Sequence, residues 1–202
     1  VLCPGQEKTF EFLEDVLDEV VGLFPSELIH IGGDECPKVR WEKCPRCQAR
    51  IRQLGLRDKD GYTAEHYLQG YVTDRIGKYL AERGRRIIGW DEILEGQAPS
   101  DAIVMSWRGS AGGIKAAKLG HDVIMTPNSH FYFDYYQSPD ADAEPFGIGG
   151  CVTIDKVYSF DPMADLTPGQ QAHILGVQAN LWTEYIASDD HLEYMLLPRL
   201  AA

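Results

Sequence analysis

Short apolar runs alternate along this chain with longer segments whose apolar residues recur every three or four positions, and that alternation restricts the fold more than any other feature. Strands are expected at Leu28 to Ile31, Arg86 to Gly89, Ala102 to Ser106, Val123 to Met125 and Ile174 to Leu181. A helix from Glu7 to Phe24 carries Phe10, Leu13, Val16, Leu17, Val20 and Val21 on one face and stops at Pro25. A second helix runs from about Thr63 to Arg83 and is capped by Gly84, and a third spans Gly112 to Leu119 before Gly120. A final helix leads through Tyr194 to Leu200. Between these lie a polar, Cys/Pro-rich loop reaching about Lys59, with one helical turn at Gln48 to Leu54, and a loop rich in Tyr, Asp, Pro and Gly from Thr126 to Gly150. A segment with short helical turns continues to Gln171.

Strand and helix in alternation imply a parallel sheet covered by helices. Two architectures satisfy this, an open doubly wound sheet and a (β/α) barrel. The open sheet would carry a glycine-rich phosphate loop after an early strand, whereas Gly32-Gly33 leads directly into two acids that repel phosphate. A barrel places its reactive residues on the loops that follow the strands. That is the pattern here, so an α/β barrel is expected.

Three strand ends carry the chemistry: Ile29-His30-Ile31-Gly32-Gly33-Asp34-Glu35, Ile87-Ile88-Gly89-Trp90-Asp91-Glu92, and the run from Ile174 that finishes in Asn180-Leu181-Trp182-Thr183-Glu184. Neighbouring residues on a strand face opposite sides. Asp34 and Glu35 can therefore serve one ligand only where the strand ends and turns. The plainer readings are that the acids cap a helix, that Trp90, Trp107 and Trp182 pack a core, and that Asp91 and Glu92 form a salt bridge or cap. His30 reads as a hydrogen-bonded core histidine. His66 and His130 have no ligand spacing, so neither is given a metal role.

The 202 residues suffice for one domain with a substantial core. A net charge of -12 and the lack of a basic run exclude nucleic acid as an expected partner. No apolar stretch approaches the roughly 18 to 20 residues that cross a bilayer. Of five cysteines, Cys36, Cys44 and Cys47 lie close in sequence, and Cys44-Pro45-Arg46-Cys47 has zinc-knuckle spacing. A closed structural zinc site wants four ligands. With Cys3 and Cys151 distant and without partner spacing, no metal and no other cofactor is expected, and a loop disulfide or free thiols is the preferred reading.

The chain resembles glycoside hydrolase family 20, the β-N-acetylhexosaminidases. The likeness lies in His30-Ile31-Gly32-Gly33-Asp34-Glu35, Gly89-Trp90-Asp91-Glu92-Ile93, Met105-Ser106-Trp107-Arg108-Gly109, Tyr132-Phe133-Asp134 and Asn180-Leu181-Trp182-Thr183-Glu184. These five ordered blocks cover most of the sequence. The resemblance implies a partial (β/α)8 TIM barrel, roughly the fourth to eighth strands with their helices. On that reading residues 1-202 are one fragment of the catalytic domain, without its first three strands or the sugar-binding arginine of the first. Open barrel edges would then favour self-association. An exported setting (periplasmic, cell-surface or secreted) is likewise implied by the resemblance alone.

The resemblance also implies roles. Glu35 protonates the glycosidic oxygen and later activates water, with burial among aromatics and a nearby anion raising its pKa. The substrate's own acetamido oxygen attacks the anomeric carbon, so no protein nucleophile is needed. Asp34 orients the acetamido group and stabilises charge on its nitrogen, and the Tyr132 hydroxyl holds its oxygen, with Tyr135 and Tyr136 as alternatives. Trp90, Trp107 and Trp182 box the acetamido methyl and the sugar face, while Asp134 and Glu184 accept bonds from sugar hydroxyls. The expected activity is exo-hydrolysis of terminal β-linked N-acetylglucosamine or N-acetylgalactosamine. Two other functions compete: a two-carboxylate retaining glycosidase with Glu184 as nucleophile, and a non-catalytic glycan-binding module.

Overall fold

Five strands are hydrogen-bonded in chain order: β1 (Leu28–His30), β2 (Arg86–Trp90), β3 (Ile103–Ser106), β4 (Val123–Met125) and β5 (Ile174–Val177). The computed structural model describes residues 1–202. By internal contacts it divides into two units, Val1–Val104 and Met105–Ala202.

In the first unit, β1 and β2 are parallel, with Ile29 opposite Ile87 and His30 opposite Ile88. The ladder continues past β1, because Ile31 N–H donates to Ile88 O and Trp90 N–H donates to Gly32 O, both at 2.9 Å. Backbone pairing therefore fixes the chain up to two residues before Asp34. Helix α1 (Glu7–Leu23) ends where Pro25 forces Phe24 into an extended conformation. Two helices, α2 (Val39–Lys43) and α3 (Pro45–Leu54), fill the loop in which the sequence shows one turn. Pro45 opens α3 at a position where its missing N–H is not needed. Only Cys47 and Ile51 of α3 are buried, and a single buried pair is too little periodicity to reveal a helix in advance.

Helix α4 (Ala64–Ala81) packs on α1 and β2 and buries Leu68, Ile76 and Leu80. The His66 ring, left without a role above, accepts the Thr63 N–H at 3.2 Å and so satisfies one of the donors that a helix start leaves unpaired. Phe10 of α1 is fully buried, with the Tyr71 ring edge-on at 5.6 Å and the Arg75 guanidinium 3.9 Å from its ring centre.

In the second unit, α5 (Ala111–Leu119) covers β4. The pairing of β4 with β5 is parallel and carries a bulge, Val123 facing Ile174 and Ile124 facing Gly176. The fifth strand is expected to reach Leu181, but it ends at Val177. Asn180 pairs instead with the segment after the short helix α6 (Asn128–Phe131): its N–H donates to Phe131 O and its carbonyl accepts from Phe133 N–H, both at 2.7 Å. The bulge turns the chain away from β4 toward this loop. The edge strand β5 leaves Leu175 and Val177 about half exposed, at 54% and 49%.

Between β4 and β5 the chain forms α7 (Ile154–Tyr158) and α8 (Pro168–Gln171). Helix α9 (Asp189–Leu196) begins at Ser188, whose hydroxyl accepts the His191 N–H, and stops before Pro198 rather than running to Leu200. No helix is long and apolar enough to cross a membrane.

Candidate active site

In the first unit, Gly32 and Gly33 take φ of 73° and 100°, and Glu35 follows at 44°. Those left-handed steps turn the chain between the end of β1 and the acids, as two neighbouring carboxylates sharing one ligand require. For Glu35, a residue with a side chain, that conformation costs roughly 1 kcal/mol or more. The Glu92 carboxylate opposes this cost by accepting the Glu35 N–H at 3.4 Å. A Cβ at Gly33 or Gly89 would fall 2.8 Å or 2.7 Å from Ile93 Cγ2, so a closely packed Ile93 sits against both strand ends. The Gln69 amide donates to Gly33 O at 2.7 Å, and the Lys38 ammonium bonds Gln69 in turn.

Asp34 and Glu35 are both exposed. The burial among aromatics that the sequence reading invokes for Glu35 is therefore not supplied by this chain. Trp90 is buried and lies 4.8 Å from the His30 ring between centres. His30 is hydrogen-bonded as expected, its Nδ1 accepting the Gly32 N–H at 3.0 Å, but it is not a core residue, since much of the ring stays open to solvent. The face against Trp90 is desolvated, which lowers the His30 pKa, and the Asp34 charge partly offsets that. Asp34 also borders a groove of about 340 Å³ walled by Leu13, Leu17 and Ile76. The remaining wall is mostly apolar, with Thr9, Gln69 and Thr73 as its polar side chains beside Asp34.

In the second unit, Tyr132 lies among the aromatics. Trp107 stacks on it at 6.2 Å and 21°, Trp182 is tilted at 6.4 Å, and Tyr135 meets it edge-on at 5.7 Å. Burial pushes the Tyr132 hydroxyl up to about 12, against a side-chain bond from Trp182, so it stays a neutral donor throughout the neutral range. Trp182 is 43% exposed, which leaves an indole surface open for a ligand. Asp134, Trp182 and Glu184 line one small cleft with Tyr185 and His191. Asp134 is buried, and its Oδ1 has no hydrogen-bond partner in the protein. A buried acceptor left open is costly unless a ligand or water occupies it.

Burial raises the Asp134 carboxyl above its usual range, and the Glu184 charge adds to the shift. The folded state thus holds this proton more tightly than the unfolded chain. Its stabilisation is complete below the unfolded value of about 4 and is lost as pH rises through the raised folded value. Asp134→Asn is expected to melt higher than the parent at neutral pH, with the two curves converging below about pH 4. Parallel melting profiles across that range would contradict the assigned burial.

Three residues of the site escape sequence reasoning. Glu92, read with Asp91 as a salt bridge or cap, lies in the first turn of the short helix Asp91–Glu95 and also accepts the Glu35 N–H. His191 has a buried Nε2 without a partner and faces the Asp134 cleft from α9. Arg199 is 1% exposed, and its guanidinium donates to the carbonyls of Phe133, Tyr135, Val152 and Met195. It thereby pins the loop that carries Tyr132 and Asp134. Burial lowers its pKa to about 10, which leaves it charged.

The cysteines also depart from the sequence reading. Cys3, judged distant, meets the knuckle: its sulfur lies 3.7 Å from that of Cys44 and 3.4 Å from that of Cys47. The segment before α1 folds back onto the start of α3, a contact no local spacing could announce.

Carboxylates and indoles that follow the ends of parallel strands define a segment of a (β/α)8-barrel glycoside hydrolase. The model of the glycosyl hydrolase family 20 catalytic domain matches residues 1–202. The chain belongs to that family. It is 48% identical over 204 residues to a beta-hexosaminidase of Porphyromonas gingivalis and 35% identical to one of Vibrio furnissii. Each alignment takes in the whole chain but only 25% and 33% of the relative, so the chain spans about a quarter to a third of the length of these two proteins. Among solved structures, the GH20 exo beta-N-acetylglucosaminidase of Vibrio harveyi in complex with N-acetylglucosamine superposes with a TM-score of 0.85 at 31% identity. That match covers 99% of this chain and 31% of the other.

Proposed function

We propose that the chain supplies the fourth to eighth strands of an exo-β-N-acetylhexosaminidase that removes terminal β-linked N-acetylglucosamine or N-acetylgalactosamine. The observation that carries this reading is the acid pair after β1, turned out of the strand by two glycines, with Glu35 held in a strained conformation by Glu92. Strain in a residue with a side chain is tolerated where the surroundings over-determine it, commonly at a functional site.

Glu35 protonates the leaving oxygen and then takes a proton from water. Asp34, exposed at the same turn, orients the acetamido group so that its oxygen attacks the anomeric carbon, and its charge stabilises the oxazolinium nitrogen. The neutral Tyr132 hydroxyl donates to the acetamido oxygen. Trp90, Trp107 and Trp182 provide apolar surface for the acetamido methyl and the sugar ring. Asp134, through its unpartnered Oδ1, and Glu184 accept from sugar hydroxyls. Such contacts select among sugars because the wrong partner leaves a buried acceptor unpaired.

A thiazoline mimic of the cyclised intermediate separates this route from a two-carboxylate one. Strong inhibition supports participation of the substrate. Trapping of Glu184 by a 2-fluoro sugar would support a protein nucleophile and end the proposal. Asp34→Asn should slow acetamido substrates far more than analogues lacking the acetamido group; equal losses on both would remove Asp34 from its role.

A further inference from the structure

We infer that Cys3, Cys44 and Cys47 form a zinc site that fastens the segment preceding α1 to the loop after the acid pair. Their three sulfur atoms all lie within 4.8 Å of one another. The separations of Cys3 from Cys47 and Cys44, 3.4 Å and 3.7 Å, are far longer than a disulfide of about 2.05 Å. They instead approach the tetrahedron edge of about 3.8 Å that follows from a Zn–S bond of about 2.3 Å. Three thiols converging on one point cannot all be satisfied by a disulfide, whereas one cation satisfies all three.

The surroundings are built for this. Backbone N–H groups of Cys47 and Arg46 donate to the Cys44 sulfur, and that of Gly5 donates to the Cys47 sulfur, the kind of outer hydrogen bond that orients metal ligands. Gly5 is pressed so closely onto α3 that a Cβ there would sit 2.3 Å from the Arg46 carbonyl carbon. The Trp41 indole N–H donates to Leu2 O at 2.8 Å and holds the other side of Cys3. Cys47 and Trp41 belong to a buried core with Ile51 and Leu68, against which Cys3, Cys36 and Cys44 all pack. The fourth position falls to a water, because Cys36 packs against the same core but lies outside the cluster of three sulfurs. Binding displaces one proton from each of the three ligating thiols to solvent, so three thiolates and the divalent cation leave a centre with one net negative charge.

Cys44 stands at the far end of the segment that leaves the acid pair, immediately before α3. The metal therefore fastens that end of the segment to the chain before α1, a role independent of the hydrolytic reading above.

The test is metal analysis of the full-length protein purified under reducing conditions without chelator. One zinc per chain is expected, released in step with the titration of three thiols by a mercurial reagent. Cobalt(II) added to the metal-free protein should give the intense visible bands of tetrahedral cobalt thiolate. Cys3→Ser and Cys47→Ser should lose the metal, and Cys151→Ser should keep it. Metal-free protein in which cobalt gives only the pale octahedral spectrum overturns the inference, as does a Cys44–Cys47 disulfide mapped in protein prepared without oxygen. The cobalt titration uses the unaltered protein, so its answer does not depend on whether the serine variants fold.

Discussion

On the acid/base role proposed for Glu35, Glu35→Gln is expected to lower turnover by about 10² to 10⁴-fold on substrates with a poor leaving group, the range that general acid/base help is ordinarily worth. The substitution keeps size and hydrogen-bonding capacity and removes only the transferable proton. The Glu35 N–H bond to Glu92 comes from the backbone and survives the change, so the strained turn should persist. The loss should therefore fall in kcat more than in KM. Substrates with an activated leaving group need little protonation and should be less affected in the first step. Wild-type turnover of an unactivated substrate by the variant would take the acid/base role away from Glu35.

Arg199→Ala is expected to lower stability by about 4 kcal/mol, which corresponds to a fall in melting temperature on the order of 10 °C. Four backbone carbonyls lose their donor in a buried place, and the side chain that covers the Phe133 ring at 4.8 Å is gone. Each orphaned acceptor costs about 1 kcal/mol or more unless water reaches it. Arg199→Lys should recover only part of the loss, because an ammonium is a point donor and cannot reproduce the planar fork. A melting temperature unchanged in Arg199→Ala would mean that the carbonyls are satisfied without the guanidinium.

The strands, the main helices and the acid pair were legible because each is written in local pattern. Period-two or continuous apolar runs mark β1 to β4, and Gly-Gly before Asp34 announces the turn. What the pattern misses is long-range. Cys3 reaches Cys44 and Cys47 across the fold, and nothing within a window of ten residues records that. Arg199 near the C-terminus looks like an ordinary surface cation, since four carbonyl partners leave no trace in the residues beside it. The fifth strand was read too long because Gln178 to Leu181 keep a strand-like composition while their backbone partners change from β4 to the loop at Phe131 and Phe133. The exposure of Glu35 was missed for a related reason: composition near a strand end says that aromatics are available, not that they cover a given carboxylate.

The packing of Ile93 against both strand ends has a consequence for anyone redesigning this protein. Gly89 has no unusual backbone angle; the Ile93 branch is the main obstacle to a side chain there, with the Gly32 carbonyl oxygen a further tight neighbour at 3.3 Å. Shortening Ile93 to alanine should thus remove the worst clash of an alanine at 89, whereas position 33, at φ of 100°, stays restricted whatever its neighbours. Mutational libraries that vary 89 without 93 will sample a blocked direction, and a paired library opens it.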